Sequence, residues 1–304
     1  MRWAAISSNP FIGSAGNPKL PPLILELIGG DTMAFDLDRV QKDIRELRKF
    51  LKRGLKHTTP QEIHSLRTQL RRFEASMQVL ALDSNPNERR LLRKMAKLRR
   101  RAGKVRDLDV LTGYAVGVKM IGEDDCQVQL LESLGAEHAQ RNQRLHSFAV
   151  RHGESLRRRL KCTASHLKTL SAGSLIDDTA PGYTMLLELR LQRELTAKTR
   201  LTRNNLHPYR LKVKELRFML QMENHPSDRQ LIETLGEMKD AMGEWHDWQQ
   251  LLTIAREQLS HGSKCKLLPL FQATTNQKLK RALVVTNAGR KQMQPLSAGT
   301  EDNA

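Results

Sequence analysis

From Asp36 onward, apolar residues recur at alternating steps of three and four, the spacing that puts them on one face of an α-helix. Leu37, Val40, Ile44, Leu47 and Leu51 form the first such seam, with Lys42, Arg45, Lys49 and Lys52 running beside it. His57-Thr58-Thr59 interrupts the pattern. A second helix then begins with good capping chemistry: Thr59 as N-cap, Pro60 at the first helical position and Glu62 to close a capping box. Its buried seam is Ile63, Leu66, Leu70, Phe73, Met77 and Leu80. Asp83 to Asn87 reads as a loop, and a third, strongly basic helix follows. A fourth helical region is expected over about Gln127 to Lys161, in one piece or two. Beyond the polar stretch Ser171 to Gly182, the helical pattern resumes over Leu186 to Leu201. It continues from about Pro208, with Tyr209, Val213, Leu216 and Leu220 as seam, then over Leu231 to Arg256 and Leu267 to Val285. No segment alternates with the period of two that a strand requires.

The polar positions carry a second pattern, and it occurs twice. His64-x-x-Arg67-x-x-x-Arg71-Arg72 is matched by His207-x-x-Arg210-x-x-x-Lys214-x-x-Arg217. Each copy is followed some forty residues later by a related segment: Gly103-Lys-Val-Arg106-Asp107-Leu-Asp109, then Gly243-Glu-Trp-His246-Asp247-Trp-Gln249. This duplication predicts an all-α fold of two tandem four-helix bundles related by internal pseudo-two-fold symmetry. The expected organisation is a disordered, Gly/Pro/Ser-rich leader over residues 1–34 and a helical domain over 35–285. Repeat one would span about 35–170 and repeat two about 183–285, with a polar tail over 286–304. Within each copy, steps of three and four stack the basic residues on one helix face, and His64, Arg67 and Arg71 each lie one position beyond the buried seam. Like charges so stacked repel, so a polyanion is the expected counterpart.

Composition sharpens that expectation. The 304 residues carry a formal charge of +18, yet only 4% are aromatic. Single-stranded nucleic acid is usually gripped by stacking bases on aromatic rings, so the ligand is expected to be read as charge rather than as bases. Cys126, Cys162 and Cys265 are few and scattered, which argues against a disulfide framework or a zinc module. No signal peptide or membrane span is read, and no membrane partner is expected. His138, His146, His152, His166, His225, His261 and His57 show no metal-ligand spacing, so no metal and no cofactor are expected. Asp107 and Asp109, two residues apart, fall on different helix faces and make a poor acid–base or metal pair. The run Arg99-Arg100-Arg101 cannot share one face and reads as a solvated or phosphate-attracting patch. Trp245 and Trp248 read as core anchors, with His246 and Asp247 between them as a polar pair.

The duplicated segments resemble the CHAD domain, the conserved histidine α-helical domain, over about residues 35–285. The two copies in register, each trailed by its Gly…Asp segment, carry the resemblance. It implies tandem four-helix units and a standalone member, with inorganic polyphosphate bound in a basic channel. It also implies that His64, Arg67, Arg71, Arg106, His207, Arg210, Lys214 and Arg217 are anion contacts. Arg72 and Lys97 are weaker candidates, while Asp107 and Asp247 hold basic side chains in place. The chain departs from the pattern at Pro208, which is expected to leave His207 at the helix start rather than within its first turn. It departs again at His246, in place of Arg106, and at Gln249, in place of Asp109. The second half is therefore expected to bind less tightly or with more pH dependence, through histidines whose pKa values the ligand raises.

Non-catalytic polyphosphate binding is thus the leading expectation, in the cytoplasm and at polyphosphate granules. A charge-driven nucleic-acid binder, with weaker affinity for nucleic acid than for polyphosphate, is one alternative. A phosphate-chain enzyme using His64 or His207 is the other, but no nucleophile–base pair or metal-binding carboxylate cluster supports it. No catalytic residue is assigned, and the sequence does not specify an oligomeric state.

Overall fold

A computed structural model describes residues 37–55, 58–80, 82, 85–118, 124–172, 180–197, 199–223, 226–259 and 265–293. The expected leader, His57, His225, His261 and the last part of the expected tail lie outside these residues. The described elements are α1 (Leu37–Arg53), α2 (Pro60–Val79), α3 (Pro86–Gly117), α4 (Asp124–Ala172), α5 (Ala180–Thr196), α6 (Leu206–Glu223), α7 (Arg229–Gln258) and α8 (Leu267–Met293). A short 3-10 turn, Pro226–Asp228, precedes α7. The fold is all-α, and no strand occurs among the described residues.

The α2 start forms as its sequence dictates. The Thr59 backbone N–H donates to Glu62 Oε2 at 3.0 Å, and the Glu62 N–H donates to Thr59 Oγ1 at 3.2 Å. These bonds satisfy two backbone donors that a helix start otherwise leaves open. The α1 and α2 seams are buried as their periodicity predicts, from Val40 to Leu51 and from Ile63 to Met77. They close a first core with Leu91, Met95, Leu98 and Ala102 of α3 and Leu145 to Leu167 of α4. A second core joins Leu191 and Leu195 of α5, Tyr209 to Leu220 of α6, Leu235 to Trp245 of α7 and Ala282 of α8.

A third core fixes the two halves to each other. Leu108, Leu111 and Ala115 of α3 and Cys126, Leu130 and Leu134 of α4 pack with Trp248, Leu251, Leu252 and Ala255 of α7 and Phe271 of α8. Helices α3, α4, α7 and α8 each leave the core of their own half and enter this shared one. Trp245 is buried in the second core and Trp248 in the third.

The helix boundaries differ from the periodicity in three places. The fourth helical region is one continuous helix of 49 residues, not a segment ending near Lys161. Its apolar stripe serves two cores in succession, which blurs the periodicity without breaking the backbone. Gly153 lets it approach α1 closely, since a Cβ there would sit 3.4 Å from the Leu51 carbonyl oxygen. Helix α8 runs beyond Val285 into the expected polar tail, to Met293. Small residues account for this: Thr286 and Gly289 are buried, and Gly289 packs so closely on Met238 and Thr234 that a Cβ has no room. Helix α5 starts earlier than Leu186 and stops at Thr196 rather than Leu201. Just beyond its end, Arg290 of α8 donates to the carbonyls of Thr199, at 2.8 Å, and Ala197.

Candidate anion-binding site

Helix α2 lies on α3, α6 lies on α7, and α3 packs against α7. This stacking makes α3 and α7 a floor and turns the basic edges of α2 and α6 toward each other. The edges carry charge because each basic residue follows a seam residue by one position. His64 follows Ile63, Arg67 follows Leu66 and Arg71 follows Leu70; Lys214 follows Val213 and Arg217 follows Leu216.

Glycines in the floor seat the arginines. Arg67 lies over Gly103, where an added Cβ would stand 3.8 Å from Arg67 Nη2. Arg210 lies closer over Gly243, where the corresponding distance would be 3.0 Å. One helical turn beyond each glycine is an aspartate on the same face. Arg67 Nη1 donates to Asp107 Oδ1 at 3.3 Å. Asp247 acts on Arg210, partly offsetting the burial that pulls this guanidinium below its ordinary pKa. The recurring Gly-x-x-x-Asp segment is therefore a bed for a guanidinium from the helix above. Gly243→Ala should displace Arg210 and lower anion affinity several-fold, whereas Gly103→Ala, in ordinary van der Waals range, should change it little. Titration of both variants with polyphosphate, beside circular dichroism to confirm folding, checks this.

The charges are concentrated and poorly compensated. Burial, then Arg67, Arg99 and Arg210, push Arg71 down to about 10. Glu74, which offsets this, is itself engaged by Arg99 Nε at 2.6 Å. Burial, then Arg210, Arg71, Arg67 and Lys239, push Lys214 down to about 7. Half-buried Lys214 has no ion pair or hydrogen bond among the described residues. Arg210 Nε and His207 Nδ1 are buried with no hydrogen-bond partner there either. Buried polar groups are normally partnered, so these two atoms are open to a ligand's polar groups.

The histidines form part of the same surface. His207 lies within the first turn of α6, which starts at Leu206 and not at Pro208. Proline is tolerated there because first-turn N–H groups have no helical partner. The His207 and His246 rings meet at 4.5 Å between centroids, and His246 Nε2 lies 3.0 Å from Gln250 Nε2. His246 and Asp247 are thus not a mutual pair: one faces His207, the other Arg210. Burial, with Arg106, Arg67 and Lys239, holds exposed-edge His64 below its ordinary value. Burial, with Arg210 and Lys214, does the same to His207, and burial with His207 and both those cations pushes His246 down to about 3. In the free protein these imidazoles are neutral near pH 7, and the expected rise belongs to the ligand-bound state.

Of the sequence-derived candidates, the structure brings together His64, Arg67, Arg71, Arg106, His207, Arg210 and Lys214. Arg106 stands 4.0 Å from Asp109 Oδ2, and Asp109 Oδ1 in turn contacts His138 Nε2 at 3.0 Å. Arg217 sits further along α6, over Gly236, donating to the Ile232 carbonyl at 3.3 Å. Arg72 acts on Asp43 of α1, and Lys97 on His152 of α4, both away from the cluster. Lys239 of α7 was not recognisable from the stripes, yet it acts on both His64 and Lys214. Its signal is its position, one turn before Gly243. A cleft of about 800 Å³ continues from the cluster between α3, α7 and α8, lined by Arg106, Tyr114, Lys239, Asp247 and Arg281 among others. No group of three or more His, Cys, Asp or Glu side chains that could hold a metal ion occurs among the described residues. No described helix is long and apolar enough to cross a membrane.

Comparison with known proteins follows the same outline. The family model described as CHAD domain matches residues 38–256. The chain is similar to the crystal structure of the CHAD domain from the plant Ricinus communis, with a TM-score of 0.60 and 16% identity. That match covers 84% of this chain and 89% of the other. A search of curated proteins finds no match.

Proposed function

Because this chain belongs to the CHAD domain family, we propose that it binds inorganic polyphosphate, without turnover, in the basic groove between α2 and α6. The family's association with phosphate-chain binding supports the ligand class. The observation that carries the reading is the crowding of Arg67, Arg71, Arg210 and Lys214 in a half-buried cluster, where burial first and then the neighbouring cations pull Arg71 and Lys214 below their ordinary pKa values. Folding around such a cluster is costly unless an anion neutralises it. A polyphosphate chain supplies a charge on each internal phosphate and acceptor oxygens along its whole length. Guanidinium groups bind these in paired hydrogen bonds, and an ammonium binds them as a point charge. Lys239, Arg106, His64 and His207 extend the surface in the same reading. No residue is assigned a catalytic role.

Competition binding tests this. Labelled long-chain polyphosphate should bind at least about tenfold more tightly than duplex DNA of equal charge at physiological salt, a difference of ~1.4 kcal/mol. Arg210→Ala should weaken binding and reduce the slope of log affinity against log salt, by about 0.7–0.9 for a lost phosphate contact. DNA binding as tight as polyphosphate binding would favour a general polyanion binder. Phosphate release that tracks the purified protein and vanishes in His64→Ala would establish an enzyme instead.

A further inference from the structure

We propose that Lys214 is a covalent acylation site for acyl phosphates, whose phosphate group is seated by the guanidinium groups around the amine. The inference rests on the reading of this cluster as a phosphate site. Three helices present charged or titratable groups to Lys214: Arg67 and Arg71 from α2, His207 and Arg210 from α6, and Lys239, His246 and Asp247 from α7. Except for Asp247, the charged groups around it are cationic, and Asp247 also faces Arg210. The other cluster lysine, Lys239, is held by Asp240 at 2.7 Å, and Lys212, two residues before Lys214, by Glu194 at 2.8 Å. Ion pairing occupies those amines. Lys214 lacks such a bond among the described residues and is half-buried rather than sealed. Its value near 7 leaves much of it as the neutral amine near physiological pH. A lysine desolvated beside other cations is the arrangement that makes an amine nucleophilic.

The step balances without a further reactant. The Lys214 Nζ lone pair attacks the acyl carbon, a C–N bond forms, and the bond from that carbon to the bridging oxygen breaks. Phosphate leaves with the bonding pair and takes up the proton that nitrogen loses. The products are Nε-acyl-lysine and hydrogen phosphate. The same cations that seat the reagent stabilise the departing phosphate. Acylation removes one positive charge from the groove, so it should weaken polyphosphate binding.

The test treats the full-length protein with acetyl phosphate at about pH 8, and separately with an uncharged N-hydroxysuccinimide acetate ester, and follows each lysine by peptide mass spectrometry. With acetyl phosphate, Lys214 should acetylate about tenfold or more faster than Lys212 and Lys239. That preference should shrink with the uncharged ester, with excess inorganic phosphate and in Arg71→Gln. Acetylation of Lys214 no faster than that of Lys212 overturns the inference. So does equal selectivity with both reagents, because the phosphate would then play no part. Polyphosphate binding is measured on the same untreated sample. Binding without selective acetylation sinks this inference alone, whereas selective acetylation without binding supports it and sinks only the polyphosphate reading.

Discussion

Lys214→Met should make the free protein more stable and its polyphosphate binding weaker at the same time. The two effects have one cause. Lys214 is surrounded by Arg210, Arg71, Arg67 and Lys239, and burial strips it of water. Its folded-state value, about 7, lies below the ordinary 10.5 that it recovers on unfolding. Unfolding therefore takes up a proton across that window, so this residue's contribution to stability rises with pH from about 7 to about 10. Below pH 7 the lysine is charged in both states, and the fold bears the full cost of holding it. A tenfold change in proton affinity corresponds to about 1.4 kcal/mol, so removing the charge should stabilise the free protein by about 2 kcal/mol after solvent screening. Methionine keeps the length and apolar stem of the side chain. Polyphosphate loses a charged contact, and affinity should fall about tenfold, as for other charge-assisted hydrogen bonds. Denaturant unfolding with and without polyphosphate at about pH 6.5 checks both halves. A variant less stable than the wild type in the free state would mean that Lys214 supports the fold, and that the cluster is not strained by its own charge.

Much of this arrangement was legible in the sequence because it depends on local periodicity. The Thr59–Glu62 capping box, the α1 and α2 seams and the placement of each basic residue one step past a seam residue all follow from helix geometry. What periodicity does not carry is which neighbour a face meets. Arg71 and Arg72 are adjacent in sequence and about 100° apart around the helix; Arg71 turns to the groove and Arg72 to Asp43 of α1. Lys97 has a basic neighbourhood, but it faces α4. The lengths of α4 and α8 were missed for two reasons: α4 serves two cores along its course, and α8 is buried near its end through Thr286 and Gly289, which read as polar or weak helix formers. The glycine beds are a case in between. The Gly-x-x-x-Asp spacing was visible twice, but its purpose needs the third dimension, where Arg67 and Arg210 descend onto Gly103 and Gly243.

The same third dimension brings a lysine into the expected pH dependence, beside the histidines. Polyphosphate affinity should rise about tenfold or more as pH falls from about 9 to about 7, and then level off. In the free protein Lys214 loses its proton above about 7. Bound phosphate favours the charged amine and raises that value, so binding takes up a proton in the window between the two. His64 and His207 are held below the ordinary histidine value and His246 is pushed to about 3, so these imidazoles are neutral across this range before the ligand arrives. Asp247, pushed up to about 6 mainly by burial, is ionised there and does not contribute above about pH 7. Below pH 6 its protonation would remove a negative charge next to Arg210, so the measurement belongs above that point. Lys214→Arg carries a permanent charge and should flatten the profile between about pH 7 and 9. The double variant His207→Gln with His246→Gln should keep it. Titrations of polyphosphate into the three proteins at about pH 7, 8 and 9 decide the matter. A flat profile in the double histidine variant, with the slope intact in Lys214→Arg, would return the titrating role to the histidines and leave Lys214 a permanently charged ligand.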